Sequence, residues 1–392
     1  MPKYGMSTYI GNSQSVGVTA PIFFDPHYPI MLNKPPVTLI TGSPGSGKTF
    51  CGLTLASHAS ILGKTNIILD PKGDFVALKK MAQRGIINEV TIWNVVNPDA
   101  EISDENTGML DPTSFTDNVN ENTALTIDII GILVGNITPT QKTALQPIVR
   151  DVTESETPSL SAVVRKIKSN RNDEIRSLAF DLETYLNIPL AKLLTTNRRI
   201  KKRKLELSRG TIVANLMGLK MPVETKAQQD YDANEKVSVC IMALLTNMIL
   251  KVMRTLPKHI FKTLIVDEAW AITATKTGEN MLKEIALLGR SKNMATILLT
   301  QSPRHIEFKE GAGLENTISS RFAFRNDDKK DNHLTVEAMN LDANEGFEEI
   351  LLKLSTGMCL MQDCNGGSGI VQIMTQDGWA EMFNTNPLSL LN

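Results

Sequence analysis

PVTLITGSPGSGKTF, residues 36–50, reads as a buried strand, a glycine-rich turn and the first turn of a helix. Residues 42–49 match the pattern G-x-x-x-x-G-K-[ST]. The apolar run 37–40 supplies the strand, and residues 50–62 carry apolar side chains at helical spacing. Gly42, Gly45 and Gly47 can turn backbone N–H groups inward with no Cβ in the way, which makes a cradle for phosphate oxygens. Ser43, Pro44, Ser46 and Phe50 complete the stretch that would wrap the anion. Lys48 would place its ammonium on the β and γ phosphates, and the Thr49 hydroxyl would ligate Mg²⁺. The start of the helix adds a dipole favourable to the same anion.

Composition sets the frame around this motif. A chain of 392 residues with 42% hydrophobic and 21% charged residues has the make-up of a globular protein with a substantial core. Forty-one basic against 42 acidic residues leave a net charge of −1, so no global field draws the molecule to nucleic acid or to an anionic membrane. Cys51, Cys240, Cys359 and Cys364 are too few and scattered for a disulfide framework, which fits a reducing compartment. Cys359 and Cys364 lack the second pair that a zinc site needs. The first residues show no apolar signal core, and the most membrane-like run, 240–253, is broken by Thr246, Asn247 and Lys251. The expectation is a chain without a bilayer span that reaches any membrane by docking to another protein.

Taken in order, residues 1–35 mix short apolar pieces with turn formers and read as lead-in strands or a linker. Residues 36–112 form the first part of a nucleotide-binding core. Within it, Gly63 is a C-cap, 64–70 is a second buried strand ending in DPKGD (70–74), and 89–94 is a third strand. Residues 113–204 turn helical, with Thr138, Pro139 and Gln141 as cap, first helical position and capping-box partner. Thr157 and Pro158 mark a further helix start. Ile175, Leu178, Ala179 and Leu182 share one helix face. This is an all-α subdomain inserted into the core. Its end, 198–204, holds six Arg or Lys in seven positions, either a solvated loop or a contact for phosphate backbone or an acidic partner. The absence of interleaved aromatics argues against base stacking there. Residues 205–376 resume the core with a strand at 210–219, a long helix near 234–256, and strands alternating with helices, as in a mostly parallel sheet. A tail, 377–392, follows.

Two strand ends in this second part carry chemistry. FKTLIVDEAW (261–270) finishes in two carboxylates: Asp267 would hold Mg²⁺, and Glu268 would orient and deprotonate the attacking water. NMATILLTQSP (293–303) finishes at Thr300 and Gln301, where an amide can bond the γ-phosphate or the water, or simply belong to the turn. Arg290, ahead of Arg321 and Arg325, is the first candidate for an arginine donated to a neighbouring subunit.

The set GSPGSGKT, DPKGD, LIVDEAW and LLTQSP, in this order and with a helical insertion, resembles the conjugative-transfer ATPases of bacterial type IV secretion systems, in the FtsK/HerA branch of P-loop motors. The likeness covers nearly the whole chain and is to the C-terminal motor half of those proteins; DPKGD is closer to the related DNA-coupling proteins and HerA. It implies a RecA-like α/β fold with the Gln-bearing strand between the P-loop strand and the Asp-Glu strand, so that Lys48, Glu268 and Gln301 surround one γ-phosphate. It implies ATP with Mg²⁺ as the bound species, a hexameric ring, membrane-associated secretion proteins as partners, and a place in the cytoplasm at the inner face of the membrane. Because only about 35 residues precede the core, the expectation is an excised motor domain or a separate short protein. Three functions stay open: a secretion ATPase, a DNA-pumping motor whose residues 198–204 meet DNA, and a nucleotide-gated assembly protein with little turnover.

Overall fold

A computed structural model describes residues 6–14, 19–96, 102–135, 137–195, 210–222, 226, 228–273, 276–306 and 317–383. Its strands in chain order are β1 (Thr8–Ser13), β2 (Pro21–Phe24), β3 (Val37–Thr41), β4 (Thr65–Asp70), β5 (Val90–Asn94), β6 (Thr211–Asn215), β7 (Lys262–Val266), β8 (Met294–Leu299), β9 (Ile318–Phe324), β10 (Met358–Gln362) and β11 (Ser368–Ile373). Among the described residues they form one sheet, ordered β2-β1-β11-β10-β9-β3-β8-β7-β4-β6-β5. From β9 to β5 every neighbouring pair is parallel. This is the mostly parallel sheet flanked by helices that the sequence pattern predicts.

Burial explains the apolar runs. In β3, β4, β6, β7 and β8 every residue is buried, because helices cover both faces and neither side of these strands meets water. Side chains still alternate between faces. Leu39, Ile67, Leu69, Leu264 and Val266 enter one core with the helix Ala233–Thr255, while Ile40, Ile68, Ile265, Ile297 and Leu299 enter the other with the P-loop helix Lys48–Ile61. Ala233–Thr255 is long and apolar enough to cross a membrane, yet 82% of its apolar window is buried inside the protein.

The helices Val119–Val134, Pro139–Thr153, Leu160–Lys168 and Asp173–Leu186 form the crossover between β5 and β6, and their apolar faces join the first core. The capping box of Thr138 and Gln141 is present. The next helix starts later than Thr157-Pro158 implies, because Ser159 is the residue whose hydroxyl accepts from the Ala162 N–H. The strand expected over 210–219 also stops early, at Asn215. Its side chain accepts from the Met217 N–H and so turns the chain out of the ladder.

The C-terminal part departs most from a parallel pattern. β10 pairs antiparallel with both β9 and β11, and β1 and β2 extend that antiparallel edge. The lead-in residues are therefore strands, held by a partner some 360 positions later in the chain, Gly11 facing Ile373. The β10–β11 turn is closed by the Asp363 carboxylate, which accepts from the N–H groups of Asn365 and Gly367. Beyond β11, the short helix Trp379–Met382 packs Trp379, Met382 and Phe383 into the second core, with Phe383 edge-on to Phe50.

At the sheet end remote from the P-loop, a buried polar knot ties β2 to the core. Lys64 Nζ donates to Asp25 Oδ1 and to His27 Nδ1, each at 3.1 Å, which leaves His27 Nε2–H to donate to the Lys262 carbonyl. Burial pushes the Asp25 carboxyl up, but the His27 hydrogen bonds and the Lys64 charge outweigh it and hold the carboxyl below its ordinary range. Lys64→Met would strand Asp25 as a buried charge without its cation. The expected result is a loss of about 3–5 kcal/mol of stability, read from urea unfolding at neutral pH.

Candidate functional site

Strand order builds the site. β3, β8, β7 and β4 lie side by side and parallel, so their C-terminal ends share one edge of the sheet. That edge carries the glycine-rich turn after β3, Thr300 and Gln301 after β8, Asp267 and Glu268 after β7, and the turn at 70–74 after β4. Backbone hydrogen bonds stitch these ends together: Gly42 N to the Gln301 carbonyl at 3.3 Å, Ala269 N to Leu299 at 2.8 Å, and Asp267 N to Leu69 at 3.1 Å. Strand spacing near 4.8 Å leaves about 10 Å between the P-loop strand and the acidic strand.

In the P-loop, Lys48 opens the helix and is buried; its Nζ donates to the carbonyls of Gly42 and Ser43 at 2.6 and 2.9 Å. Gly47 is the helix N-cap with φ +115°, and a Cβ there would lie 2.9 Å from the backbone of Gly357, whose N–H donates to the Ser46 carbonyl. Gly45, at φ +73°, has open space where a Cβ would go. The two glycines therefore differ in what they protect. Gly45→Ala meets only backbone strain, about 1–2 kcal/mol, whereas Gly47→Ala must also push the loop off Gly357. Nucleotide affinity is expected to fall at least ~10-fold more for Gly47→Ala than for Gly45→Ala, measured by titration with a fluorescent ATP analogue. Ser43, Pro44 and Ser46 line the turn. Phe50 sends its ring to Phe383, so what it can offer an anion is its backbone N–H.

The acids sit deep. Asp267 is buried, and one of its oxygens, Oδ2, has no hydrogen-bond partner. Burial first, and then the like charges of Glu268, Asp70 and Asp74, push its carboxyl up to about 7 against the pull of Lys72. An orphaned carboxylate oxygen among further acids is a site that a divalent cation would relieve. Burial pushes the Asp74 carboxyl up, against the Lys72 charge and the nearby Thr49 hydroxyl, which hold it down. Among the described residues no three His, Cys, Asp or Glu side chains cluster tightly enough to cage a metal alone.

Glu268 adopts the left-handed region at φ 52°, a conformation worth about 1–2 kcal/mol of strain for a residue with a Cβ. Its Oε2 accepts from the Trp270 indole N–H at 2.6 Å, and its Oε1 is paired with the Lys72 ammonium. Asp70 caps its own turn, accepting from the N–H groups of Gly73, Asp74 and Phe75. Burial pushes the Asp70 carboxyl up to about 6 despite those donors. Lys72, Asp74 and Trp270 are thus site residues that motif reading passes over, although DPKGD and DEAW contain all three.

A second group behind the P-loop is also absent from the motifs. Ser43 Oγ donates to Asn326 Oδ1 at 3.4 Å and accepts from the Asp327 N–H; Asn326 donates to Asp331, which in turn accepts from Ser302 and Arg304 just past Gln301. This network joins the phosphate turn to the end of β8. No local pattern marks it, because its members lie on three separated segments.

The arginines divide. Arg290 is exposed at the end of the helix Lys276–Lys292 and donates to the Asn33 carbonyl, before β3 begins. That places it at the opposite edge of the sheet, roughly 16 Å along the strands from the P-loop of its own chain. Arg321 donates to Gln362 on β10. Arg325 lies against the phosphate turn, its carbonyl accepting from the Ser43 N–H at 2.8 Å. The basic run 198–204 lies outside the described residues.

The model of the AAA-like domain family matches residues 32–383. The Bacillus subtilis (strain 168) protein YddE, itself uncharacterized, is 20% identical over 357 residues, covering 87% of this chain; the chain spans only 41% of that relative's length. The structure of VirB4 of Thermoanaerobacter pseudethanolicus superposes with a TM-score of 0.72 at 16% identity, over 97% of this chain and 99% of that one. The plasmid coupling protein TrwB in complex with ADP and Mg²⁺ gives 0.60 at 12% identity, over 94% and 90%. The unbound form of the bacterial conjugative coupling protein TrwB gives 0.59 at 13%, over 93% and 88%. These likenesses establish the fold.

Proposed function

The chain belongs to the AAA-like domain family, and from that premise we propose that it is an ATP hydrolase energising conjugative transfer or type IV secretion. The observation that carries the reading is the shared sheet edge, where the P-loop, the Gln301 strand end and the Asp267-Glu268 strand end are hydrogen-bonded neighbours. The solved VirB4 chain shares this architecture over 99% of its residues, and TrwB, of the same fold, has been captured with ADP and Mg²⁺. The TrwB complexes with ADP and Mg²⁺ and with an ATP analogue support ATP and Mg²⁺ as the species handled here.

In the proposed mechanism the N–H groups of residues 42–49 bind the phosphates, with the Lys48 ammonium exchanging its two carbonyl acceptors for phosphate oxygens. Thr49 and Asp267 would hold Mg²⁺, which supplies charge to offset that building on the phosphoryl oxygens. Glu268 accepts the proton of the attacking water, and Gln301 orients that water or senses the phosphate. An arginine from a second copy, with Arg290 the first candidate because its own chain leaves it far from the P-loop, completes the charge balance in a ring. The ring docks to membrane-associated secretion proteins at the inner face.

Phosphate release measured with and without DNA tests this reading. ATP-dependent release indifferent to DNA is expected of a secretion ATPase. Release that rises several-fold with DNA and falls steeply with salt would replace it with a DNA-pumping motor. ATP binding without phosphate release in a single-turnover assay would replace both with a nucleotide-gated assembly protein.

A further inference from the structure

Glu268, given the role of base, is engaged at both carboxylate oxygens, by Trp270 on one and Lys72 on the other. A carboxylate whose lone pairs already accept N–H groups, one of them charged, is a weak acceptor for a water proton. One of the two contacts must open before the base can work. They are not equivalent. Trp270 sits only two residues on, opening the short helix Trp270–Thr273, so the chain itself keeps it beside Glu268. Lys72 comes from the turn after the neighbouring strand β4, and its side chain is 48% exposed against 9% for Glu268. The turn itself is braced by Asp70 through three backbone N–H groups, so its backbone is fixed while the lysine side chain keeps its freedom.

We propose that Lys72 is a positioning residue that holds Glu268 in reserve, and that its ammonium leaves the carboxylate when a terminal phosphoryl group enters the site. A triphosphate terminus carries more charge than one carboxylate and arrives between β3 and β7, on the side where Lys72 already faces Asp74 and Asp267. A diphosphate does not reach as far. The pair therefore restrains the base until the substrate that needs it is present. This proposal rests on the hydrolase reading above, with Glu268 as base.

The test is steady-state ATP turnover by the full chain with Lys72→Met and Lys72→Arg, each also in a Glu268→Gln background. Lys72→Met is expected to lower KM about fivefold with kcat little changed, because the pair that ATP must open is already gone, and the size is that of one partly exposed ion pair. Lys72→Arg, which keeps the cation, is expected to match wild type, and the fall in KM is expected to vanish beside Glu268→Gln. An unchanged or higher KM for Lys72→Met overturns the proposal. A readout without turnover separates the two ideas: the indole N–H resonance of Trp270, resolved from Trp93 and Trp379 by a Trp270→Phe control. It is expected to shift in Lys72→Met and stay in place in Lys72→Arg. If no variant hydrolyses ATP, the hydrolase reading fails, and an unmoved resonance then overturns the restraint while a shifted one upholds it.

Discussion

Glu268→Gln is expected to keep binding ATP and to release phosphate at least ~100-fold more slowly. The change keeps the shape of the side chain and removes its basicity. The amide oxygen can still accept from the Trp270 indole, and the carboxylate's place beside β8 is kept by the Ala269 to Leu299 backbone bond. The lysine freed by the substitution has an exposed side chain and returns to water. A fall of ~100-fold equals about 2.7 kcal/mol of lost transition-state stabilisation, within the usual reach of one general base. Phosphate release under saturating ATP checks it, with affinity measured separately by a fluorescent analogue. Turnover within about threefold of wild type would place the base elsewhere.

Lys48→Ala is expected to abolish nucleotide binding at concentrations up to ~100 times the wild-type Kd. Lys48 is buried, and its ammonium bridges the carbonyls of Gly42 and Ser43 across the turn. The substitution removes the cation that would meet the phosphates and also the contact that holds the turn in its arch. Stability of the unliganded chain is expected to drop by about 1–3 kcal/mol, the cost of buried acceptors left unpaired. Nucleotide binding is read from the melting temperature. At 100 times Kd, MgATP adds about 2.7 kcal/mol to the wild type and raises its Tm; the variant is expected to show no rise. A rise equal to wild type would remove Lys48 from the phosphate site.

Much of the site was legible in advance because its parts are local. GSPGSGKT needs only its own glycines, lysine and threonine to be read, and LIVDEAW and LLTQSP each announce a buried strand with polar groups at its end. The resemblance also anticipated the β3-β8-β7 order. The parts that escaped are those whose meaning depends on a partner. Lys72 carries no chemistry that its own segment announces; β4 lying beside β7 is what brings it to Glu268. Gly357 carries no motif at all, yet its backbone supports Ser46 and lies where a side chain on Gly47 would go. The antiparallel edge does not follow from the alternation of strands and helices, although DCNGG, residues 363–367, is a turn-rich stretch of the kind that closes hairpins.

Sequence alone determined which segments are strands buried on both faces, where the phosphate turn bends and which side chains stand at the strand ends, because each follows from backbone preference and side-chain period over a few residues. Tertiary structure decided which strand ends are neighbours, that Asp267 keeps an unpartnered oxygen, that Glu268 is held by Lys72 and Trp270, and that Arg290 lies away from its own P-loop. Charge pairing and desolvation depend on distances between segments up to some 200 residues apart, and those distances exist only once the sheet has assembled.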